Sequence, residues 1–481
     1  MSLAPLLIPW AAALALALPL LAGAACFVVG GRAAATLALG VAVLSSAAGI
    51  VLTAGVEADG VQRLALAGWA PPLGIVWRID GLAALAVALT GLIFAAVLVH
   101  AEKSLDLLRG EGLSEAFRPL ALVLLGGLNA LYMANDVFNL YVTLELVTLA
   151  AVGMVALAGD PAAALRYLLV GVLGALAYML GCGLLYAAFG TLDLDLLAGR
   201  VEPGGTASAA LALMIVGVMA KGALFPLHGW LPPAHGSAVA PASALLSGVV
   251  AKGGFYVLLR LWLDVYPATG AAPAAAQILG VLGTLAVLWG SLQAIRQTRL
   301  KVLLAYSTVA QLGYLMVSLP LIASAAGHAS GLAGALHLMA SHACAKAAMF
   351  LTAGSLIATR GHDRLADLKG AAHDHPMTAF TLGLAGMTLM GLPPSGGFIA
   401  KWLLLDASLR SGQWWWAAVI LGGSLLAGVY VFLAVSWSMS RPPGEPSDAQ
   451  PPPLPRRLEF AALALALVAM ALGFVSAEHI P

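Results

Sequence analysis

Five ionisable side chains lie inside long apolar segments of this 481-residue sequence, where a charge is costly. They are Glu145 and four lysines, Lys221, Lys252, Lys346 and Lys401. A charge at the centre of a bilayer costs at least about 2.5–3.5 kcal/mol on insertion scales, so each group must pair, lose its charge or face water. Burial disfavours a charged lysine and a nearby carboxylate favours it, so a lysine whose carboxylate neighbour changes can carry protons. We infer this chemistry for Glu145 and Lys221.

Ion pairs that only hold helices together are the alternative interpretation of these charges. Buried pairs rarely stabilise a protein more than apolar packing does, and pairing does not explain an excess of lysines over acids. One further basic residue, Arg260, lies near the end of an apolar segment. We expect its guanidinium to snorkel to the membrane interface.

Histidines accompany these segments and could relay protons, because an unperturbed imidazole titrates near neutral pH. His342 precedes Lys346 by one helical turn, so the two side chains share a helix face, and relay is the favoured interpretation there. For His235 a relay and a hydrogen-bonded structural role both stay open. Zinc binding by His228, His235, His337 and His342 is disfavoured, since no cysteine or acid completes the set.

Two apolar segments carry residues that interrupt helices beside a lysine. Proline removes a backbone donor and glycine loosens a helix, and non-helical backbone at membrane depth needs protein or water to satisfy it. Corresponding breaks in two halves are typical of inverted-repeat transporters, with sites at the breaks. A simple proline kink is the alternative. The prolines are Pro226 and Pro232 in residues 219–233, after Lys221, and Pro393 and Pro394 in residues 390–401, before Lys401.

Composition indicates that the whole chain is one integral membrane domain. It is 61% hydrophobic and 9% charged, whereas soluble domains carry roughly 25% charged residues. The net charge is +1 and no basic run is longer than Arg456 and Arg457, so the sequence gives no sign of a nucleic-acid partner. The three cysteines, Cys26, Cys182 and Cys344, are far apart in apolar stretches, so they predict neither a disulfide framework nor a metal site.

Hydropathy predicts about fourteen transmembrane helices, because runs of about 20 apolar residues recur along the chain. The first run lacks the positive start of a signal peptide, so we expect a retained span. Residues 101–118 are compatible with a surface amphipathic helix or with a solvated loop. The predicted spans are residues 5–28, 33–54, 78–100, 119–134, 136–158, 164–190, 207–228, 238–263, 274–295, 300–322, 330–358, 377–409, 414–439 and 458–476.

Basic residues are divided unevenly between the predicted loops. Most follow odd-numbered spans, so the positive-inside rule places those loops in the cytoplasm and both termini outside. Those after odd-numbered spans are Arg32, Lys103, Arg109, Arg118, Arg166, Arg296, Arg299, Lys301, Arg360, Arg364, Lys369, Arg441, Arg456 and Arg457, and those after even-numbered spans are Arg63, Arg78, Arg200 and Arg410.

Six segments, in order along the chain, resemble one known family. It comprises the proton-conducting antiporter subunits shared by Mrp-type sodium/proton antiporters, respiratory complex I and membrane-bound hydrogenases. The resemblance runs from about residue 78 to about residue 435. The segments, with the family spans they resemble, are residues 135–146 (fifth), 221–232 (seventh), 240–252 (eighth), 300–314 (tenth), 342–351 (eleventh) and 391–401 (twelfth).

The resemblance implies an all-α polytopic membrane fold of about fourteen helices, with two inverted five-helix repeats and with helices seven and twelve broken. The implied parts are residues 1–118 with helices one to three, 119–263 with the first repeat, 274–439 with the second repeat, and 440–481 with a Pro-rich loop and the last helix. A proton path along the membrane midplane is also implied. It runs from Glu145 and Lys221 through Lys252 and His342 or Lys346 to Lys401.

The resemblance further implies no cofactor and no metal in this subunit. It implies that the chain works with other membrane subunits in a bacterial inner membrane, carrying protons and, in some complexes, Na⁺. The residues before Glu145 and Lys401 look most like those of the D-type Mrp subunits. An antiporter-like subunit of complex I or of a membrane-bound hydrogenase is the close alternative, and the chain would then belong to an enzyme only as part of a redox-driven complex.

Two other functions stay open from the residues alone. A quinone-associated scaffold would use the buried charges only to stabilise a complex. A secondary transporter of an organic solute would need polar and aromatic groups near the helix breaks. The candidates for such a site are Trp230, Tyr256, Tyr306 and Tyr314, which packing or an interfacial position also explains.

Overall fold

The computed structural model describes residues 4–109, 111–157, 159–440 and 454–475. Within these ranges the chain forms nineteen α-helices and one antiparallel pair of short strands, β1 (Gln62–Ala65) and β2 (Val76–Ile79). The helices are α1 Ala4–Val29, α2 Gly31–Asp59, α3 Gly81–Arg109, α4 Glu111–Met133, α5 Val137–Ala156, α6 Pro161–Phe189, α7 Leu194–Arg200, α8 Gly205–Lys221, α9 Leu231–Ser237, α10 Ala240–Leu245, α11 Ala251–Asp264, α12 Ala272–Ile295, α13 Leu300–Ile322, α14 His328–Arg360, α15 Ala371–Asp374, α16 Pro376–Met390, α17 Gly396–Arg410, α18 Trp414–Met439 and α19 Arg456–Ala471. A π-helical turn, Leu246–Val250, joins α10 to α11.

Eleven helical stretches of the described ranges are long and apolar enough to cross a membrane, and α8 and α16 are shorter apolar helices. Each predicted span coincides with one helix or with neighbouring helices. The prediction of an all-α polytopic membrane fold is therefore confirmed. The count of fourteen spans, the two inverted repeats and the division into four parts stay predictions, and most of the Pro-rich loop lies outside the described residues.

The two polar stretches near the N-terminus fold differently from a simple loop. The strands β1 and β2 form a hairpin between α2 and α3. Residues 101–118 form neither a separate surface helix nor a solvated loop, because α3 continues to Arg109 and α4 begins at Glu111. Both helices therefore extend beyond the apolar runs that hydropathy detects.

The first helix break separates α8 from α9. The helix α8 ends at Lys221, and the backbone around Pro226 is non-helical. The indole Nε1 of Trp230 donates a hydrogen bond to the carbonyl oxygen of Ala220 at 2.8 Å, which satisfies a carbonyl at the end of α8. Pro232 lies in the first turn of α9, where a proline is compatible with a helix, so it marks the end of the break.

The second break separates α16 from α17 and contains both predicted prolines. The helix α16 ends at Met390, and Gly391 follows in a left-handed conformation with φ of 78°. A Cβ atom at Gly391 would lie 2.6 Å from Cδ of Lys401, so the glycine also makes room for that side chain. The hydroxyl of Ser395 accepts from the backbone N–H of Phe398 and thereby caps α17.

The middle of the bundle is formed by α10, α11, α13 and α14. The most apolar part of Ala240–Asp264 is completely buried, whereas only 33% of the corresponding part of α1 and of α2 is buried. The helices α12 and α13 approach closely at Gly283 and Gly313, because a Cβ atom on Gly283 would lie 2.5 Å from the carbonyl oxygen of Gly313. Lys252 and Lys346 lie on these central helices, and Lys401 contacts Tyr314 on α13.

Candidate functional site

Glu145 and Lys221 form an ion pair between α5 and the end of α8. Oε1 of Glu145 lies 2.6 Å from Nζ of Lys221, which also donates to the hydroxyl of Thr148 at 3.1 Å. The two partners of Lys221 are three residues apart on α5, so they share one face of that helix. The side chain of Lys221 is 2% exposed and that of Glu145 is 26% exposed. The inferred contact is therefore present, and the carboxylate is the more accessible member.

Lys252 lies at the second position of α11, directly after the π-helical turn. Its Nζ donates to the carbonyl oxygen of Ser247, within that turn. The hydroxyl of Ser247 in turn pairs with that of Thr308 on α13 at 2.8 Å. Because π-helical turns inside α-helices are frequent at functional sites, the irregular backbone beside this lysine is an additional signal.

Lys346 lies in the middle of α14 and is fully buried. Its Nζ donates to the carbonyl oxygen of Leu304 at 2.6 Å and to the hydroxyl of Ser307, both on α13. The same ammonium lies 5.7 Å from the ring centre of Phe350. All the partners of this amino group among the described residues are therefore neutral.

Lys401 lies on α17, beyond the second break, and its amino group reaches back to the end of α16. Its Nζ donates to the carbonyl oxygens of Leu389 at 2.8 Å and Met390 at 3.2 Å, and it lies 4.8 Å from the ring centre of Tyr314. A cation is favoured at a helix C-terminus, where carbonyl groups lack helical partners. The break therefore creates the polar environment of this lysine.

A carboxylate within ion-pair distance distinguishes Lys221 from the other three lysines. Among the described residues, no acid approaches the amino group of Lys252, Lys346 or Lys401. Carbonyl and hydroxyl oxygens stabilise an ammonium less than a counter-ion does, so these amino groups can exchange a proton without breaking an ion pair.

His342 lies among the unpaired lysines. Its ring is 1% exposed, and neither ring nitrogen has a hydrogen-bond partner among the described residues. The lysines close enough to act on the ring electrostatically are Lys252, Lys346 and Lys401. Buried polar groups without protein partners usually bond to water. The ring therefore lies within electrostatic reach of three of the predicted proton carriers, and its role as a relay stays a prediction.

The other histidines have different surroundings. His235 stacks on Phe350 with ring centres 4.7 Å apart, and neither of its nitrogens has a partner in the described part of the chain, so the structure gives it no hydrogen-bonded structural role. The ring nitrogens of His337 lie 3.0 Å from the carbonyl oxygen of Ala333 and 3.2 Å from that of Val475, and a neutral ring donates to one of the two. His228 stacks on an aromatic ring. Within the described ranges, no group of three histidine, cysteine or acidic residues is arranged to hold a metal ion.

Arg260 does not snorkel, so that prediction is wrong. It is 3% exposed, its guanidinium pairs with both carboxylate oxygens of Asp80, and it donates to the hydroxyl of Tyr256 at 2.7 and 3.0 Å. Asp80 also pairs with Arg78 at 3.2 Å. The hairpin and the start of α3 pack over the end of α11 and remove that end from the interface.

Lys301 is a buried lysine that sequence reasoning places in a loop. It lies in the first turn of α13, is 4% exposed, and donates to the carbonyl oxygen of Ala238. It acts electrostatically on His235 together with Lys346 and Lys252. Hydropathy alone assigns Lys301 to the end of the loop. The signal in the sequence is its position directly beside the apolar run of α13.

The aromatic candidates for a solute site do not converge on one cavity. Trp230 stacks on Tyr167 with ring centres 3.8 Å apart, Tyr256 bonds to Arg260, and Tyr314 lies under Lys401. The cavity beside Lys252 has a volume of about 50 Å³. Such a space holds a few water molecules and is far below the roughly 300 Å³ of small-molecule pockets.

Known proteins resemble this chain in sequence over most of its length. The family described as NADH:quinone oxidoreductase/Mrp antiporter, TM, matches residues 134–427. The N subunit of NADH-quinone oxidoreductase from Desulforudis audaxviator is 36% identical over 452 residues, which cover 91% of this chain and 88% of the relative. The D subunit of the Na⁺/H⁺ antiporter from Alkalihalophilus pseudofirmus is 28% identical over 397 residues, covering 81% and 78%.

Two solved complexes contain chains of the same fold. A chain of the Mrp complex from Dietzia sp. DQ12-45-1b superposes with a TM-score of 0.85 at 24% identity, covering 97% of this chain and 94% of that one. A chain of the membrane-bound sulfane sulfur reductase, an archaeal respiratory membrane complex, also gives 0.85 at 25% identity, covering 96% and 94%. The fold therefore occurs in both an antiporter and a respiratory complex.

Proposed function

Because the chain belongs to the NADH:quinone oxidoreductase/Mrp antiporter family of membrane proteins, we propose that its buried Glu, Lys and His residues carry protons as it works as an antiporter-like subunit of a larger complex. The observation that carries this proposal is the contrast between the Glu145–Lys221 pair and three lysines whose partners among the described residues are all neutral. A set of structural ion pairs would give each lysine an acid.

The path begins at the ion pair. Opening of the 2.6 Å contact between Glu145 and Lys221 leaves the ammonium of Lys221 without a counter-ion, which favours release of its proton. Lys252, beside the π-helical turn, is the next acceptor, and His342 connects it to the second half. Water bridges the gaps between these groups, since unsatisfied buried nitrogens attract it.

The path ends at Lys401. The proton passes from His342 to Lys346 and then to Lys401, whose amino group lies at the open end of α16. Non-helical backbone inside a membrane lines a cavity or is covered by protein, so the break is a suitable place for exchange with one aqueous side. The two broken helices, one in each half, also support an inverted-repeat relation between residues 119–263 and 274–439.

The driving reaction has two candidates. The motifs before Glu145 and Lys401 favour an Mrp D-like subunit, in which proton movement is coupled to Na⁺. The 36% identity to the N subunit of an NADH-quinone oxidoreductase favours a redox-driven complex. In both cases the partners are other membrane subunits and the location is a bacterial inner membrane. The excess of basic residues after odd-numbered spans supports termini on the outer side.

Ion flux in vesicles tests the proposal and separates the two candidates. The chain is expressed with its genomic neighbours in an antiporter-deficient bacterium, and proton flux is measured in everted vesicles after addition of Na⁺ or of an electron donor. Lys221→Ala is compared with wild type at equal complex levels. Lys369→Ala is the matched control, because that lysine lies outside the spans against Trp437.

We expect Lys221→Ala to abolish the flux and Lys369→Ala to leave it unchanged. Flux driven by Na⁺ assigns the chain to the Mrp type, and flux driven only by an electron donor assigns it to the redox-driven type. Normal flux in a fully assembled Lys221→Ala complex would reject the proton path and return the buried charges to a structural role.

A further inference from the structure

A charged cavity of about 760 Å³ opens where the ends of four helices meet. It lies between the start of α2, the end of α3, the start of α4 and the start of α19, and Glu145 and the buried lysines do not line it. Its volume falls within the roughly 300–1,000 Å³ of small-molecule sites. The distribution of basic residues assigns this end of the bundle to the cytoplasmic surface.

Among the described residues that line the cavity, four are cations and three are acids. Arg118 is occupied, because its guanidinium donates two hydrogen bonds to the carboxylate of Glu102 at 2.6 and 3.0 Å. No acid in the described part of the chain lies within ion-pair distance of Arg32, Lys103 or Arg457. The charged residues that line the cavity are Arg32, Lys103, Arg118 and Arg457 with Glu102, Asp106 and Glu115.

Two carboxylates face the same space, and one of them lacks a donor. Glu115 accepts from the backbone N–H of Gly31 at 3.3 Å. Oδ1 of Asp106 is buried and has no hydrogen-bond partner among the described residues. Buried carboxylate oxygens rarely stay without a donor, so Asp106 indicates that an N–H or O–H group from outside the chain enters the cavity.

The wall of the cavity becomes apolar toward the membrane. Leu39 lies seven residues beyond Arg32 on α2, which is about 10 Å along the helix. Leu98 and Val99 stand one turn before Glu102 and Lys103 on α3. The cavity is therefore amphipathic, with charges at the helix ends and aliphatic side chains at the depth of lipid acyl chains.

We propose that this cavity binds the headgroup of a membrane phospholipid. The phosphodiester faces the free cations of Arg32, Lys103 and Arg457, and an ammonium or hydroxyl group of the headgroup donates to Asp106. Basic pockets between transmembrane helices recognise lipid headgroups through such contacts. An acidic segment of a partner subunit would also match the cations, and absence of lipid labelling in the assembled complex would favour it over a phospholipid.

Photolabelling of the assembled complex tests the site. Membranes that contain the complex are loaded with photoactivatable phosphatidylethanolamine or phosphatidylglycerol and irradiated, and labelled peptides are located by mass spectrometry. We expect labels in residues 31–39 and 98–106. Removal of one cation, in Arg32→Gln or Lys103→Gln, should lower the labelling about fivefold, and Arg32→Lys should retain most of it.

Arg166→Gln is the matched control, because Arg166 is exposed, outside the cavity and at the same predicted surface. Labelling by phosphatidylethanolamine alone supports an ammonium at Asp106, and labelling by phosphatidylglycerol supports a hydroxyl there. Equal labelling of the wild type and an assembled Arg32→Gln/Lys103→Gln complex would overturn the proposal. Loss of labelling when inorganic phosphate is added before irradiation would also overturn it, in favour of a free-anion site.

Discussion

Lys221 and Lys401 both lie beside a broken helix, but their amino groups have different partners. In the first half, Nζ of Lys221 lies 2.6 Å from a carboxylate oxygen of Glu145. In the second half, Nζ of Lys401 donates to the carbonyl oxygens of Leu389 and Met390, at the end of the interrupted helix. One lysine is held by an opposite charge and the other by backbone dipoles.

This difference determines what the loss of a proton costs in each half. If Lys221 loses its proton while the pair is closed, Glu145 keeps its charge beside a buried neutral amine and loses its counter-ion, which is costly. If Lys401 loses its proton, only neutral groups remain around it. The first half is therefore suited to switching and the second to exchange.

Glu145→Gln removes the counter-ion that distinguishes Lys221 from Lys401, so we expect it to have the largest effect. The amide keeps the shape of the side chain but removes the counter-ion of Lys221. An uncompensated charge in the membrane costs about 2.5–3.5 kcal/mol, so we expect a fall in proton flux of about 100-fold. Flux in everted vesicles at equal complex levels measures it, with Glu57→Gln on the exposed end of α2 as the control.

The coupling between the two partners gives a second readout of the same prediction. Residues that act as one unit have non-additive effects. The Glu145→Gln/Lys221→Met double variant should therefore be no worse than the more affected single variant. Additive losses would contradict a coupled pair.

Asp80→Asn weakens a second buried ion pair, between Asp80 and Arg260, that does not involve the predicted proton carriers. The change weakens the charged hydrogen bonds to Arg260, so we expect unfolding to become easier by about 2 kcal/mol. Thermal unfolding in detergent measures the loss, with Asp59→Asn, at the exposed end of α2, as the control. Flux per folded complex should stay near the wild-type value. A large loss of flux with normal stability would place Asp80 in the proton path instead.

Gln311→Glu tests whether the neutral surroundings of Lys401 matter. The amide of Gln311 donates at 3.1 Å to the carbonyl oxygen of Leu389, which also accepts from Lys401 at 2.8 Å. A carboxylate here would give Lys401 an acid and hold its proton, and we expect about tenfold lower flux. Gln311→Met, which removes the amide without adding a charge, should retain most of the activity. Equal flux in both variants would show that an acid partner is tolerated in this half.

Arg63→Gln affects an exposed pair outside the membrane and should have the smallest effect. The hydrogen bond from Arg63 lowers the pKa of the Asp195 carboxyl below its ordinary value. A lowered pKa in the folded state stabilises the protein above the unfolded pKa of about 3.9, and this contribution is lost as the pH falls through the folded value. We expect a loss of a few tenths of a kcal/mol at pH 7, since both side chains are partly exposed to solvent, which screens the pair.

Thermal unfolding at several pH values checks this prediction. The wild type and Arg63→Gln should differ slightly in Tm at neutral pH and converge once the carboxyl of Asp195 is protonated. A difference that persists at acid pH would show that Arg63 stabilises the hairpin by packing rather than by charge.

The predicted proton carriers can be found in the sequence because an ionisable group in an apolar run is conspicuous. Glu145, Lys221, Lys252, Lys346 and Lys401 are recognised in this way, and the helix breaks next to two of them follow from the chemistry of proline and glycine. The all-α membrane fold follows equally from the length and number of the apolar runs. These features depend on local sequence, so no partner has to be known.

The environment of residues near the ends of spans cannot be found in this way. Arg260 is expected at the interface because its span ends nearby, but Asp80, 180 residues earlier in the chain, comes to cover it. Lys301 is assigned to a loop, yet the turn after α9 packs over it and supplies the carbonyl of Ala238. A hydropathy profile shows how far a residue lies from the middle of an apolar run. It contains no information on which other segments of the chain pack over the end of that run.

The apolar runs and the residues that interrupt them are therefore enough to show that this chain crosses the membrane many times and contains buried ionisable groups beside two helix breaks. The sequence also suggested that Glu145 pairs with Lys221, but the packing of the helices was needed to show that the other three lysines have no counter-ion among the described residues. Glu145 can reach a single lysine, and the packing of α5 against the end of α8 gives it to Lys221, while the other lysines lie against the carbonyls and hydroxyls of neighbouring helices. The physical reason is that burial of a charge can be deduced from composition, but its compensation depends on atoms that approach within about 3–4 Å from distant parts of the chain.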